Sequence, residues 1–325
     1  MHTTKIAFGS CGHEDHELPI FNRIVSHAPD YFIFLGDNIY GDTKDMEVLR
    51  KKYEKLGEKP SYQNLKAHTQ IRAVWDDHDF GWNDAGRHYP FKTASKDLFL
   101  EFFEEPQDSD RRKHQGIYHS DLIEVEGNTL QLIYLDNRTF RDDLLAYNGD
   151  YENDRRYFYG LDYTPHTSTD STLLGAEQWA WLEAQLKVPA DVRIICSGTQ
   201  FGIEYNGYEA WANYPHEQKR LLELIKTYQA NGVLFLTGDV HYAEISKLEY
   251  EGLYPIYDLT ASGLSSTWHF ATPNANRIEG PIMDNHFGLL TIKWHANDPV
   301  LIAEVWDIQD NQRIEYRIRL SEISF

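Results

Sequence analysis

Four short apolar runs in this chain each stop on thiol, imidazole or carboxylate residues, and that repeat constrains the fold more than any other feature. Residues 5–10 end on Cys11-Gly12-His13 and Tyr31–Leu35 ends on Gly36-Asp37. Residues 71–75 end on Asp76-Asp77-His78-Asp79, and residues 232–237 on Gly238-Asp239-Val240-His241. Continuous apolar runs bounded by polar turns suit strands buried on both faces. Helical patterns lie between them, over residues 19–27, 45–56, 91–103, 175–188 and 215–228, the last with a proline at its start. Strands alternating with helices predict an α/β fold, and α/β sheets bind ligands outside the carboxyl ends of their strands.

The rest of the chain adds antiparallel structure. Residues 117–125 and 129–135 flank Glu126-Gly127-Asn128, a hairpin signal. Residues 287–294, 301–308 and 313–320 alternate like antiparallel strands. Residues 141–173 are rich in Asp, Tyr, Thr and Ser with little periodicity, and read as a long excursion or lid. There is no internal repeat, and the expectation is a single domain over residues 1–325.

The run-ending residues carry a definite chemistry. Thiolate and imidazole ligate borderline and soft metals. A carboxylate at the end of a buried strand, as Asp37 is, is expensive unless paired or metal-bound. Asp76 and Asp77, side by side, favour a cation between them. Asp239 and His241, two apart, project the same way on an extended segment. Taken singly, Cys11 reads as a small buried hydrophobe and Tyr40 as packing; the joint placement of the clusters is what argues for metal.

These motifs resemble the calcineurin-like metallophosphoesterase superfamily and, within it, the alkaline phosphatase D (PhoD-like) family. The resemblance rests on Phe8-Gly9-Ser10-Cys11, Gly36-Asp37-Asn38-Ile39-Tyr40, Trp75-Asp76-Asp77-His78-Asp79, Leu135-Asp136-Asn137-Arg138 and Gly238-Asp239-Val240-His241. It implies a four-layer αββα sandwich of two mixed β-sheets flanked by helices. It also implies a phosphoester hydrolase with a metal-bound hydroxide at a two-metal site. One pocket would hold Cys11, Asp37, Tyr40 and His241, a set suited to Fe3+ or another transition metal. The other would hold Asp37, Asp77 and Asp239 with Asn83, an oxygen set suited to Ca2+, Mg2+ or Mn2+. His13 stands either as an additional ligand or as an exposed neighbour.

The resemblance further implies that His78 stabilises the transition state or protonates the leaving alkoxide, with Asp79 or Asp76 orienting it. Arg138 would hold the phosphate, its alternative being a salt bridge to Asp136, and Asn38 would touch the substrate. Residues 141–173, Trp211, Tyr214 and Trp268 are expected to wall the pocket. Ligand and partner are then a small-molecule phosphoester. The alternatives are a strict phosphodiesterase and, further off, a metal-binding scaffold without catalysis.

Composition narrows the field. With 51 acidic and 31 basic residues the chain carries a net charge of −20, which argues against a duplex nucleic-acid partner. No His-Glu-x-x-His and no glycine-rich phosphate loop occurs. No apolar stretch approaches the roughly 18 residues of a membrane span. Cys11 and Cys196 are the only cysteines, too few for a disulfide framework. No signal-peptide core is present, so the expectation is a cytoplasmic protein, or a periplasmic or secreted one whose leader has been removed.

Overall fold

The structure is a computed structural model that describes residues 2–154, 161–205, 207–294 and 297–325. In chain order the strands are β1 (His2–Gly9), β2 (Tyr31–Leu35), β3 (Gln70–Val74), β4 (His119–Val125), β5 (Asn128–Tyr134), β6 (Leu145–Ala146), β7 (Tyr163–Thr164), β8 (Val192–Ser197), β9 (Val233–Thr237), β10 (Ala243–Leu248), β11 (Ile256–Ala261), β12 (Arg277–Ile282), β13 (His286–Trp294), β14 (Val300–Asp307) and β15 (Gln312–Arg319). The helices are α1 (Ile20–Ser26), α2 (Met46–Gly57), α3 (Pro60–His68), α4 (Asp77–Phe80), α5 (Lys92–Phe102), α6 (Gly175–Leu186) and α7 (Pro215–Thr227).

Two large mixed sheets form the body. One has the order β15-β14-β13-β1-β2-β3 and the other β12-β10-β11-β9-β8-β5-β4. Each has a parallel centre, β1-β2-β3 in the first and β5-β8-β9-β11 in the second. The antiparallel tail strands β13, β14 and β15 extend the first sheet from the far side of β1. The expected hairpin is β4–β5. The sheets pack on one another where β11 meets β13 and β1.

The central strands are apolar throughout because both faces are covered. All five residues of β2 and all five of β9 are buried. On the outer face of the first sheet, α1 seats Phe21 edge-on against Phe32 and Phe34 of β2 and Tyr62 of α3. On the second, Phe201 stacks on Phe235 of β9, and Trp211 packs edge-on to Phe201 and to Trp179 of α6. Burying rings of this size stabilises the fold by roughly 1.5–3 kcal/mol each. Helices on both outer faces complete the αββα sandwich. Both cysteines are buried and free. Among the described residues no helix is long and apolar enough to cross a membrane.

Among its described residues the excursion carries the short hairpin β6–β7 and a 3-10 turn at Tyr151–Asn153; its residues 155–160 lie outside the described ones. Helix α3 and strands β10, β11 and β12 were not expected from the sequence.

Candidate metal centre

The C-terminal ends of the two parallel centres open toward the same point. Cys11 N donates to Gly36 O (3.4 Å) and Gly12 N to Asp37 O (3.1 Å), which ties the turn after β1 to the turn after β2. Ser10 N reaches Ala261 O at the end of β11 (3.1 Å), and Gly238 N reaches Gly198 O at the end of β8 (3.1 Å). The loops therefore form one floor across both sheets. Two glycines permit that closeness. A Cβ on Gly36, whose φ is +97°, would stand 2.4 Å from Asp76 Cβ, and one on Gly238 would stand 2.6 Å from Ser10 Oγ.

Side chains are aimed by strained backbone. Cys11 (φ 57°), Asp37 (49°), Asp239 (77°) and His241 (58°) all occupy the left-handed region, which non-glycine residues adopt at a cost. Four such residues around one point are an observed outlier that calls for a functional reason.

These residues make three overlapping groups whose donor atoms lie within 4.8 Å of one another: Cys11, Asp37 and His241; Asp37, Asp77 and His78; Asp76, Asp77 and Asp239. Asp37 joins the first two groups and Asp77 the last two. Cys11 Sγ lies 3.4 Å from Asp37 Oδ2, and 3.1 Å from Ser262 Oγ. The Tyr40 hydroxyl faces Cys11. Among the described residues, Asp37 Oδ1, Tyr40 OH, Asp76 Oδ2 and Asp77 Oδ1 are buried without a hydrogen-bond partner. Leaving such atoms unpaired costs about 1–3 kcal/mol each, more when charged, and a cation is the partner their chemistry fits.

The electrostatics agree. Burial pushes Asp37 and Asp239 well above the usual carboxylate range, and neighbouring carboxylates push them further. Burial and the charge of Asp37 raise the Cys11 thiol, and burial raises the Tyr40 phenol. Burial thus favours the protonated form of each of these groups; a bound cation inverts that preference. Asp77 differs. Burial raises it, but Arg138 and His78 outweigh burial and hold it at about 2.

A family model described as PhoD-like phosphatase matches residues 6–281. The chain belongs to the PhoD-like phosphatase family. Alkaline phosphatase D of Bacillus subtilis (strain 168) is 24% identical over 291 residues, covering 75% of this chain and 47% of that protein. The chain thus spans about half the length of that relative. The solved structure of PhoD superposes with a TM-score of 0.75 at 17% identity, over 98% of this chain and 72% of the other. A dimetal phosphatase from Danio rerio superposes at 0.55 and 12% identity, over 99% of each chain. GAP50, described as the anchor in the inner membrane complex of Plasmodium, superposes at 0.56 and 13%, over 100% of this chain and 90% of its own. At such identities these likenesses show the fold alone.

Within the PhoD-like fold, several expected site residues occupy other places than the sequence suggested. Arg138 is fully buried. Its Nη1 donates to both oxygens of Glu209 (2.9 and 2.8 Å) and its Nε to Asp76 Oδ1 (2.5 Å), so it faces carboxylates rather than an open phosphate site. Its link to Asp136 is through the backbone N–H (2.9 Å), not the guanidinium. The amide nitrogen of Asn38 donates to Val74 O (2.9 Å) and to Asp79 Oδ2, bracing β2 against β3 from a buried position. Asp79 accepts from Asp76 N (2.7 Å) as well, so it braces the same turn.

His78 is oriented by another acid: its Nδ1 lies 2.8 Å from Asp42 Oδ1. Burial lowers its basicity, but Asp42 and Asp77 outweigh burial and raise it to about 9. His13 stands apart from Cys11, grouped with Glu14 and Asp15 and stacked on Tyr40 at 4.6 Å. Asn83 is exposed and bonds Asp84 Oδ2 (2.8 Å), while Asp84 N donates to Asp77 (2.6 Å). Trp211 and Tyr214 are buried core, not pocket wall. Trp268 is half-buried and stacks on His241 at 5.1 Å. The excursion reaches the site through Tyr163, whose hydroxyl bonds Asp84.

Asp42, Glu209 and Ser262 are the residues that sequence reasoning missed. Ser262 Oγ accepts from His241 N (2.9 Å) while touching Cys11. Glu209 also pairs with Arg141 at 3.2 Å. None of the three sits in a motif, and nothing local sets them apart from other acids and serines.

Proposed function

We propose that this chain is a metal-dependent phosphoester hydrolase of the alkaline phosphatase and phosphodiesterase kind, working at a two-cation site. The observation that carries the reading is the orphaned donor set: four buried oxygens, on Asp37, Tyr40, Asp76 and Asp77, that find no hydrogen-bond partner among the described residues. Cys11, Asp37, Tyr40 and His241 would hold a transition metal, the phenolate and thiolate favouring Fe3+. Asp37, Asp77 and Asp239, with Asp76, would hold a hard cation such as Ca2+, Mg2+ or Mn2+. When bound, two such cations lower the pKa of water to near neutrality and neutralise phosphoryl oxygens.

The protein's own groups do the rest. Asp42 holds His78 protonated through Nδ1, leaving the other ring nitrogen to give a proton to a leaving alkoxide. Arg138 lies behind the carboxylates and keeps Asp77 ionised. Asn38 and Asp79 hold the turn that carries Asp77 and His78.

The strict phosphodiesterase reading has one observation in its favour. A monoester dianion asks for a cation beyond the metals, and Arg138 and Arg141 are both buried against Glu209. Hydrolysis of p-nitrophenyl phosphate and bis(p-nitrophenyl) phosphate by protein purified without added metal tests both readings. Turnover of either ester supports the hydrolase, and turnover of the diester alone supports the narrower reading. Failure on both, after iron, manganese and calcium are supplied, contradicts hydrolysis and leaves the metal-binding scaffold.

A further inference from the structure

On a chain with 51 acidic and 31 basic residues, one cleft gathers four cations. Lys92 and Lys96 of α5, with Arg112 and Lys113, line a space of about 230 Å³, bordered by Thr139 and by the exposed Asp97. Lys113 pairs with Asp110 at 2.6 Å. Among the described residues Lys92, Lys96 and Arg112 form no ion pair, and their partners are backbone carbonyls. Lys92 Nζ donates to Arg87 O (3.0 Å) and Thr139 O (3.3 Å), and Arg112 to Glu105 O (2.8 Å) and Pro106 O (3.0 Å).

Lys96 is the most telling of these. It is 7% exposed, and the acceptor its ammonium reaches is the carbonyl of His114. An ammonium has three donors, and burying it without a counter-charge is costly. Asp136, the carboxylate behind the cleft, supplies only part of one. Asp136 accepts from Ile117 N, Arg138 N, Thr139 N and Thr139 Oγ1, all at 2.7–2.9 Å. Burial depresses the basicity of both lysines, helped by Arg87 at Lys92 and by Arg111 and Arg112 at Lys96, and Asp136, with Asp97 at Lys96, offsets this only in part. Like charges this close repel, and an anion among them would relieve the repulsion.

We propose that this cleft binds a phosphate-class oxyanion at a site separate from the metal centre. The turn after β5 divides the two: Thr139 borders the cleft, whereas the Arg138 side chain reaches Asp76 and Glu209. The proposal stands independently of the hydrolase reading, because it needs neither metal nor turnover.

Its test is calorimetric titration of the full chain with inorganic phosphate, beside crystals soaked in selenate and mapped by anomalous scattering. The expected selenate peak lies within hydrogen-bond reach of Lys92 Nζ and Lys96 Nζ. The Lys92→Met, Lys113→Glu double variant should weaken phosphate uptake at this site at least about tenfold, as loss of a charge-assisted bond does. Lys92→Arg, which keeps the charge, should retain it. Absence of a peak from the cleft, or uptake unchanged in the double variant, overturns the proposal.

Discussion

The two halves of the candidate centre share Asp37 but are braced in opposite ways. Around Cys11, Tyr40 and His241 the supports are neutral: Ser10 and Ser262 hydroxyls against the thiol, and the Ser266 carbonyl 2.9 Å from His241 Nδ1. Around Asp76 and Asp77 the support is an ion network, Arg138 held by Glu209, which is held in turn by Arg141. Arg138 prepays ionisation at Asp77, whereas Cys11 and Tyr40 retain their protons until a cation arrives. The first half should therefore release protons on loading and favour a strongly polarising ion. In the second, Asp77 is ready for a hard cation, whereas burial raises Asp76 and Asp239, so loading there draws on carboxyl protons rather than on thiol and phenol protons.

Removing the shared ligand should break both halves at once. Asp37→Ala is expected to lose both cations and to lower turnover by roughly ten-thousandfold, since metal catalysis is worth several kcal/mol; metal content and kcat on an activated ester check it. Removing the brace should break only one half, and through stability. Arg138→Met leaves Asp76 buried without its partner and Glu209 with Arg141 alone, at a cost of about 3–5 kcal/mol, measurable by urea unfolding.

A change that spares both halves sharpens the comparison. His78→Ala should reduce kcat by about 10²–10³ with two ions still bound, because His78 lies against Asp42 and Tyr40 at the rim. Asp42→Asn should lose less and should move the alkaline pH limb to lower pH, because it removes the charge that keeps His78 protonated.

The smallest effect concerns the neutral half. His286 is fully buried; its Nε2 accepts from Ser262 N (3.0 Å), so it positions the serine that touches Cys11. Burial lowers it to about 4. A histidine kept neutral in the fold costs stability as pH falls from its unfolded value near 6.5 toward 4. Unfolding free energy should thus drop by about 2 kcal/mol between pH 7 and pH 5 from this group, and His286→Gln should flatten that slope.

Much of the fold was legible because buried parallel strands write themselves as uninterrupted apolar runs. β2 and β9 are such runs, and their closing acids marked the ligand-bearing edge. β10 and β11 were missed because each carries a buried acid mid-strand. Glu244 is satisfied by Gln200, Asn274 and Arg277, and Asp258 by Phe201 N, Gly202 N and Thr237. Those partners come from far along the chain, so the local pattern looks like loop. α3 carries too weak an amphipathic stripe to stand out.

The same distinction holds at the site. The clusters at strand ends were readable, and in the structure Cys11, Asp37, Asp77, Asp239 and His241 fall into overlapping groups. The surroundings were not. Arg138 was expected at a phosphate, but its partner Glu209 lies 71 residues away, and no motif marks that acid. Asp42 was hidden among neighbouring acids as the partner of His78.

The central claim is one centre with two chemically different halves. Metal analysis by mass spectrometry on wild type and Cys11→Ser, purified side by side without added metal, tests it most directly. The account predicts two ions per wild-type chain, one of them a transition metal, and a variant that loses the transition metal while keeping the hard cation. A wild type without bound ions, or a Cys11→Ser variant with unchanged transition-metal content, contradicts it.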